Sequence, residues 1–150
     1  MVLGLSRGDR LLLVLVLSLA GVAVAADLTA EWYRAAGASW CDVSSYFSCT
    51  RVRASAYAAV SGIPTAVVGL GGFAVLAFLS ATALRGRVRI GRWSVGSWIL
   101  LVSAVGAAIG LGLSLLEVFV IQAVCILCVV GFALDLAILA VGTSLLRTET

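Results

Sequence analysis

Polar residues divide this chain into apolar stretches of similar length. The first follows Arg7 and Arg10 and runs from Leu11 to about Ala26, extending to Ala30 if Asp27 lies at the headgroups. A second uncharged stretch lies between Arg53 and Arg85, and residues 61–84 are its membrane-length part. Pro64, near its start, fits a first helical turn, where a missing N–H costs least. The third stretch covers residues 93–116 and stops at Glu117, after which apolar residues continue to Leu146 with only Gln122 and Asp135 as strongly polar interruptions. One helix over residues 93–146 would be ~80 Å long at ~1.5 Å per residue, against a hydrocarbon core of ~30 Å, so the chain must reverse. Glu117 and Gln122 mark the best place for the turn. The pattern therefore predicts four spans, over about 11–29, 61–84, 93–116 and 123–145, with an outer loop over about 30–60, in a single domain at residues 1–150.

Composition makes these spans membrane helices rather than core helices. With 63% hydrophobic and 11% charged residues and a mean hydropathy of +1.19, the chain cannot cover a water-soluble globule. The expected class is an all-α integral membrane protein, a four-transmembrane-helix bundle. Orientation follows from arginine, since short loops rich in basic residues stay cytoplasmic and the chain has no lysine. The second connection holds Arg85, Arg87, Arg89 and Arg92, and with four spans it shares a side with Arg7, Arg10 and Arg147. The opposite side has Arg34, Arg51 and Arg53 beside Asp27, Glu31 and Asp42. Both termini are thus expected in the cytoplasm, with residues 32–57 outside. A competing reading makes the N-terminus a signal peptide cleaved after Ala23-Val24-Ala25; the arginine distribution favours a retained helix.

The four cysteines form two pairs, and this topology puts both on the outer face. Cys41 and Cys49 enclose a polar stretch containing Tyr46 and Phe47, while Cys125 and Cys128 open the fourth helix. Residues three apart share a helix face, and a thiolate is favoured near a helix N-terminus. Taken singly, Cys125 and Cys128 also fit two small buried hydrophobes, and Cys41 and Cys49 fit a structural staple. A zinc site of four thiolates matches the count but would place net negative charge near lipid, so no metal is expected. Two pairs on one oxidising face, with no cysteine elsewhere, favour thiol redox chemistry.

Cys41-Asp42-Val43, then Ser48-Cys49-Thr50-Arg51-Val52, Ser61-Gly62-Ile63-Pro64 and Cys125-Ile126-Leu127-Cys128 resemble, in order and spacing, the vitamin K epoxide reductase family. The resemblance covers residues from about 40 to 132. It implies a four-helix bundle around a quinone of menaquinone, ubiquinone or vitamin K type, capped by the outer segment and a short interfacial helix. It also implies a relay. Electrons from a thioredoxin-like protein enter at Cys41, Cys49 attacks a Cys125–Cys128 disulfide at Cys125, and Cys128 faces the quinone. Thiolate exchange through a mixed disulfide is the chemistry involved. Phe132, Tyr57, Phe47, Ile63 and Pro64 are the candidate quinone contacts.

Two departures shape the expected activity. Animal members carry a tyrosine where Phe132 stands, and the asparagine they place before the second helix aligns near Ala58, with Tyr57 adjacent. Plain quinone reduction by a prokaryotic-type member fits better than epoxide reduction, in support of disulfide formation in exported proteins. The chain ends at Thr150 without a fused thioredoxin-like domain, so a separate partner is expected, outside a bacterial plasma membrane; no nucleic-acid partner is. Asp135 lies about 10 Å deeper than Cys128 along the helix, and a structural role is favoured for it although intramembrane carboxylates are functional candidates. Glu117 reads as an interfacial turn residue. Gly69, Gly71, Gly72, Gly106, Gly110 and Gly112 permit close helix packing, and the arginine cluster also suits anionic lipid. A rival from another class is a small four-helix transporter or structural membrane protein with incidental cysteines.

Overall fold

Ser6 and Asp9 start the first helix by capping each other. The Asp9 N–H donates to Ser6 Oγ at 3.2 Å, and Ser6 returns its hydroxyl to Asp9 Oδ2 at 2.8 Å, which satisfies donors that a helix start leaves open. In the computed structural model, which describes residues 4–33, 40, 42–54, 59, 60 and 62–149, this helix, α1, spans Arg7–Tyr33. It outruns the expected 11–29 at both ends, because the cap lies before Arg7 and no proline interrupts the chain up to Tyr33.

A short helix α2, Cys49–Arg53, follows, then a hairpin of β1, Ala59–Val60, and β2, Ile63–Pro64, turning at Gly62 with φ +82°. Helix α3 spans Thr65–Leu84. Pro64 therefore precedes the helix rather than sitting in its first turn. Its pairing with Ala59 keeps it extended, at φ −59° and ψ 139°. The arginine-rich connection is a second hairpin, β3 Arg89–Ile90 and β4 Trp93–Ser94, turning at Gly91 with φ +64°. Ser94 then caps α4, Val95–Leu116, by accepting the Ser97 N–H at 3.2 Å.

Helix α4 does not stop at Glu117. Residues Glu117–Ile121 continue as a π-helical turn, and the reversal comes at Gln122, which is left-handed at φ 57°. The N–H groups of Gln122 and Ala123 both return to the Glu117 carbonyl. Helix α5 then spans Ile126–Glu149, three residues later than expected from position 123. The delay has a cause: Val124 pairs with Phe47 in a bridge, its N–H donating to the Tyr46 carbonyl at 2.8 Å, which holds this segment extended.

Four helical segments, Arg7–Tyr33, Thr65–Leu84, Val95–Ile121 and Ile126–Thr148, are long and apolar enough to cross a membrane. Helix α1 packs against α3 and α5, and α4 against α5 and α3, which closes a four-helix ring. Its two halves differ. At the end carrying the α1 start and the α5 terminus, Leu11, Val14, Leu76, Leu79, Val95, Ile99, Ile138 and Leu145 form a dense core. Here the buried Arg10 donates to the Ser144 carbonyl at 3.2 Å. At the other end the bundle is hollow, and glycines of α3, α4 and α5 are among the wall residues.

Gly21 governs the α1–α3 approach, since a Cβ there would overlap the ring of Phe73. Gly21→Ala should lower stability by ~1–3 kcal/mol through overpacking, read as a reduced thermal midpoint in detergent. Gly71→Ala, with open space around the added carbon, should leave the midpoint unchanged or slightly raised.

Candidate functional site

The outer segment is organised by one carboxylate. Asp42 Oδ1 accepts the Ser48 hydroxyl at 2.9 Å and the Thr50 N–H at 3.1 Å, while Oδ2 accepts the Thr50 hydroxyl at 2.6 Å. Ser48 in turn caps α2 by accepting the Arg51 N–H at 3.2 Å. The loop closes on itself where the Val43 N–H donates to the Phe47 carbonyl at 2.9 Å, and Arg51 Nη1 donates to the Ser45 carbonyl at 3.0 Å. These bonds fix the start of α2, so they fix Cys49.

A second set of contacts seats this loop on the bundle. Phe47 pairs with Val124 in a parallel bridge through the Val124 to Tyr46 hydrogen bond. With the two strands in that register, Cys49 Sγ lies 2.8 Å from Cys125 Sγ. Both residues are buried, Cys125 at 1% exposure, among Val24, Leu28, Val52, Leu127 and Cys128. Cys49 is disulfide-bonded, and Cys125 and Cys128 are free thiols. A free thiol thus rests against a disulfide sulfur, the encounter from which exchange proceeds.

Cys49, Cys125 and Cys128 open onto a cavity of about 730 Å³ in the hollow half of the bundle, inside the roughly 300–1,000 Å³ range of small-molecule sites. Apolar residues of α1, α3 and α4 make most of its wall, with Pro64 at the start of α3 and Phe132 on α5. Glycines make the room. A Cβ at Gly110 would strike the Phe132 ring, and one at Gly106 would come within 2.9 Å of Asp135 Oδ2. Three acidic side chains also reach the cavity: Glu31, Glu117 and Asp135. Asp135 Oδ1 accepts the Ser103 hydroxyl at 3.1 Å, while Oδ2 has no hydrogen-bond partner among the described residues. Glu117, only 5% exposed, accepts the Cys125 N–H through Oε2 at 3.3 Å.

A family model described as the vitamin K epoxide reductase family matches residues 12–143. The chain belongs to that family. No curated protein matches it significantly. Membership makes the chain a multi-pass integral membrane oxidoreductase of the quinone or vitamin K epoxide reductase type, with quinone as the family's substrate.

Within this vitamin K epoxide reductase bundle, the expected site residues fall into three groups. Cys49, Cys125, Cys128, Pro64 and Phe132 face one cavity. Phe47 and Ile63 do not line it: they are 44% and 55% exposed, and the Phe47 ring meets Tyr46 edge-on at 5.2 Å. Phe47 serves the site through its main chain, because docking on Val124 turns its side chain outward. Cys41 and Tyr57 lie outside the described residues. Glu117, expected as an interfacial residue at the turn, is buried and lines the cavity. The π-helical turn that brings it inward leaves no mark in the apolar pattern. Glu31 and Trp32 were missed because they follow the first apolar run, where a helix end was expected.

Asp42→Ala removes three bonds that hold the loop over Cys125. Maleimide labelling of Cys125, followed by mass spectrometry, should accelerate about tenfold or more, given ~1.5–3 kcal/mol for bonds to a charged group. Labelling as slow as in the parent protein would show that the seat does not depend on Asp42.

Proposed function

We propose that this protein is a thiol:quinone oxidoreductase that drains electrons from a separate thioredoxin-like protein and so supports disulfide formation in exported proteins. The observation that carries the reading is the 2.8 Å contact between Cys49 and Cys125 at the mouth of the apolar cavity. Cys41 receives electrons from the partner. The Cys49 thiolate attacks Cys125 in a Cys125–Cys128 disulfide, and Cys128 leaves as a thiolate beside the quinone and takes up the proton that Cys49 gave up. Cys41 then attacks Cys49, closing the loop disulfide and freeing Cys125. The pattern seen, with Cys49 in a disulfide and two free thiols on the bundle, matches the stage after this transfer and before quinone reduction.

Quinone lies in the cavity with its ring near Cys128, against Pro64 and Phe132. Phe132 has no hydroxyl, so it packs without donating a hydrogen bond; this supports quinone rather than epoxide as the physiological acceptor. Both termini face the cytoplasm and the cysteines face outward in a bacterial plasma membrane. Supporting this, Arg7, Arg10, the β3–β4 hairpin and Arg147 gather at the dense end of the bundle, opposite the cysteines. Helix α1 is retained, in keeping with its share of both core and cavity wall.

Purified protein supplied with menadione and a reduced thioredoxin-like donor should form quinol, and Cys128→Ala should abolish turnover. Full turnover in that variant would overturn the mechanism. A transporter using a membrane carboxylate predicts the reverse pattern, with Asp135→Asn inactive and cysteine substitutions silent. In a Cys41→Ala background a Cys49–Cys125 mixed disulfide should accumulate and be mapped by peptide analysis. A link from Cys49 to Cys128 instead would reverse the assigned order.

A further inference from the structure

Thiols reducing a quinone must release two protons as well as two electrons, and the cavity that holds the reaction is mostly hydrocarbon. Glu117 is the carboxylate built against the reacting sulfurs. Its Oε2 is engaged by the Cys125 N–H at 3.3 Å, three residues before Cys128. It lines the cavity together with both sulfurs. Glu31 and Asp135 also reach the cavity, from α1 and from deeper in α5. Asp135 is about 10 Å along the helix from Cys128, and its Oδ1 is held by Ser103.

The backbone is shaped for this contact. A π-helical turn carries more residues per turn than an α-helix and is common at functional sites. Here it spans Glu117–Ile121 and ends at the left-handed Gln122, so that the chain doubles back to Cys125 within eight positions of Glu117. The two main-chain bonds to the Glu117 carbonyl hold the residue at the root of this reversal. Its side chain is therefore tied directly to the start of the cysteine pair.

We propose that Glu117 is a catalytic proton carrier between the helix cysteines and the quinone, an assignment that rests on the quinone-reducing function above. In the step, the S–H bonds of Cys125 and Cys128 break and an S–S bond forms between them. The two electrons enter the quinone ring, and its two carbonyl oxygens gain O–H bonds. The Glu117 carboxylate takes the Cys128 proton and passes it to the nearer quinone oxygen. The Cys125 proton goes to the second quinone oxygen, and Glu117 ends unprotonated, so a dithiol and a quinone become a disulfide and a quinol.

The test separates proton transfer from thiol exchange. Protein reduced at Cys125 and Cys128 is mixed with menadione in a stopped-flow instrument, and quinol formation is followed by absorbance. Exchange is measured separately, as accumulation of the Cys49–Cys125 link in a Cys41→Ala background. Glu117→Gln keeps an acceptor for the Cys125 N–H but cannot carry a proton. It should slow quinol formation about a hundredfold, in the range for a lost general acid or base, while the exchange link forms as in the parent. Glu117→Asp should recover part of the rate, and Glu31→Gln and Asp135→Asn should lose less than Glu117→Gln. Parental quinol formation in Glu117→Gln overturns the assignment. So does parallel loss of exchange and reduction in both Glu117 variants, which would make the residue a scaffold. Absence of thiol-dependent reduction in the parent protein would instead remove the underlying function, so the two failures are distinct.

Discussion

The seating of the outer loop on the chain reversal before α5 is the contact on which the site depends. One main-chain hydrogen bond, from Val124 to the Tyr46 carbonyl, sets the register, and Cys49 meets Cys125 as a result. Both segments are prepared beforehand: Asp42 and Ser48 shape one, and Glu117 and Gln122 shape the other. Two otherwise separate pieces of backbone thus present sulfurs at contact distance. Such placement lowers the ordering entropy that any reaction between the two sulfurs would cost.

The four-helix ring supports that seat by dividing its length between two tasks. Leucine, isoleucine and valine fill the end that bears Arg10, where large side chains from all four helices interdigitate. Toward the cysteines, glycines on α4 receive the Phe132 ring and the Asp135 carboxylate, and the space that remains is the cavity. Stability is concentrated at one end and binding space at the other. A bundle packed uniformly along its length would leave no cavity beside Cys128.

Much of this was readable from the chain. Interruptions by Arg85, Arg87, Arg89 and Arg92 and the long apolar run after Trp93 reveal four helices, because hydrocarbon thickness limits what one helix can span. The spacing of Cys49, Pro64, Cys125 and Cys128 pointed to the family to which the chain belongs. What stayed hidden depended on backbone detail. Pro64 has a φ that suits either a helical turn or an extended residue, and only its pairing with Ala59 decides between them. Glu117 looked interfacial because a carboxylate between two apolar runs normally meets water, and no local residue type signals a π-helical turn. Phe47 looked like a pocket residue by its chemistry, yet its main-chain pairing directs the ring away.

The π-helical turn also controls rotational phase. Each residue of an α-helix turns the next by about 100°, so the count of residues between α4 and Cys125 decides which way the sulfurs point. At Glu117–Ile121 the wider winding and the left-handed Gln122 reset that phase before α5 begins. Side chains along this stretch, such as the exposed Val118, Phe119 and Val120, face outward and are open to exchange for other apolar groups. Its length is not, because one residue more or fewer would swing the cysteine pair away from both the loop and the cavity. Apart from the buried Glu117, this segment is therefore free in its apolar composition and constrained in its length.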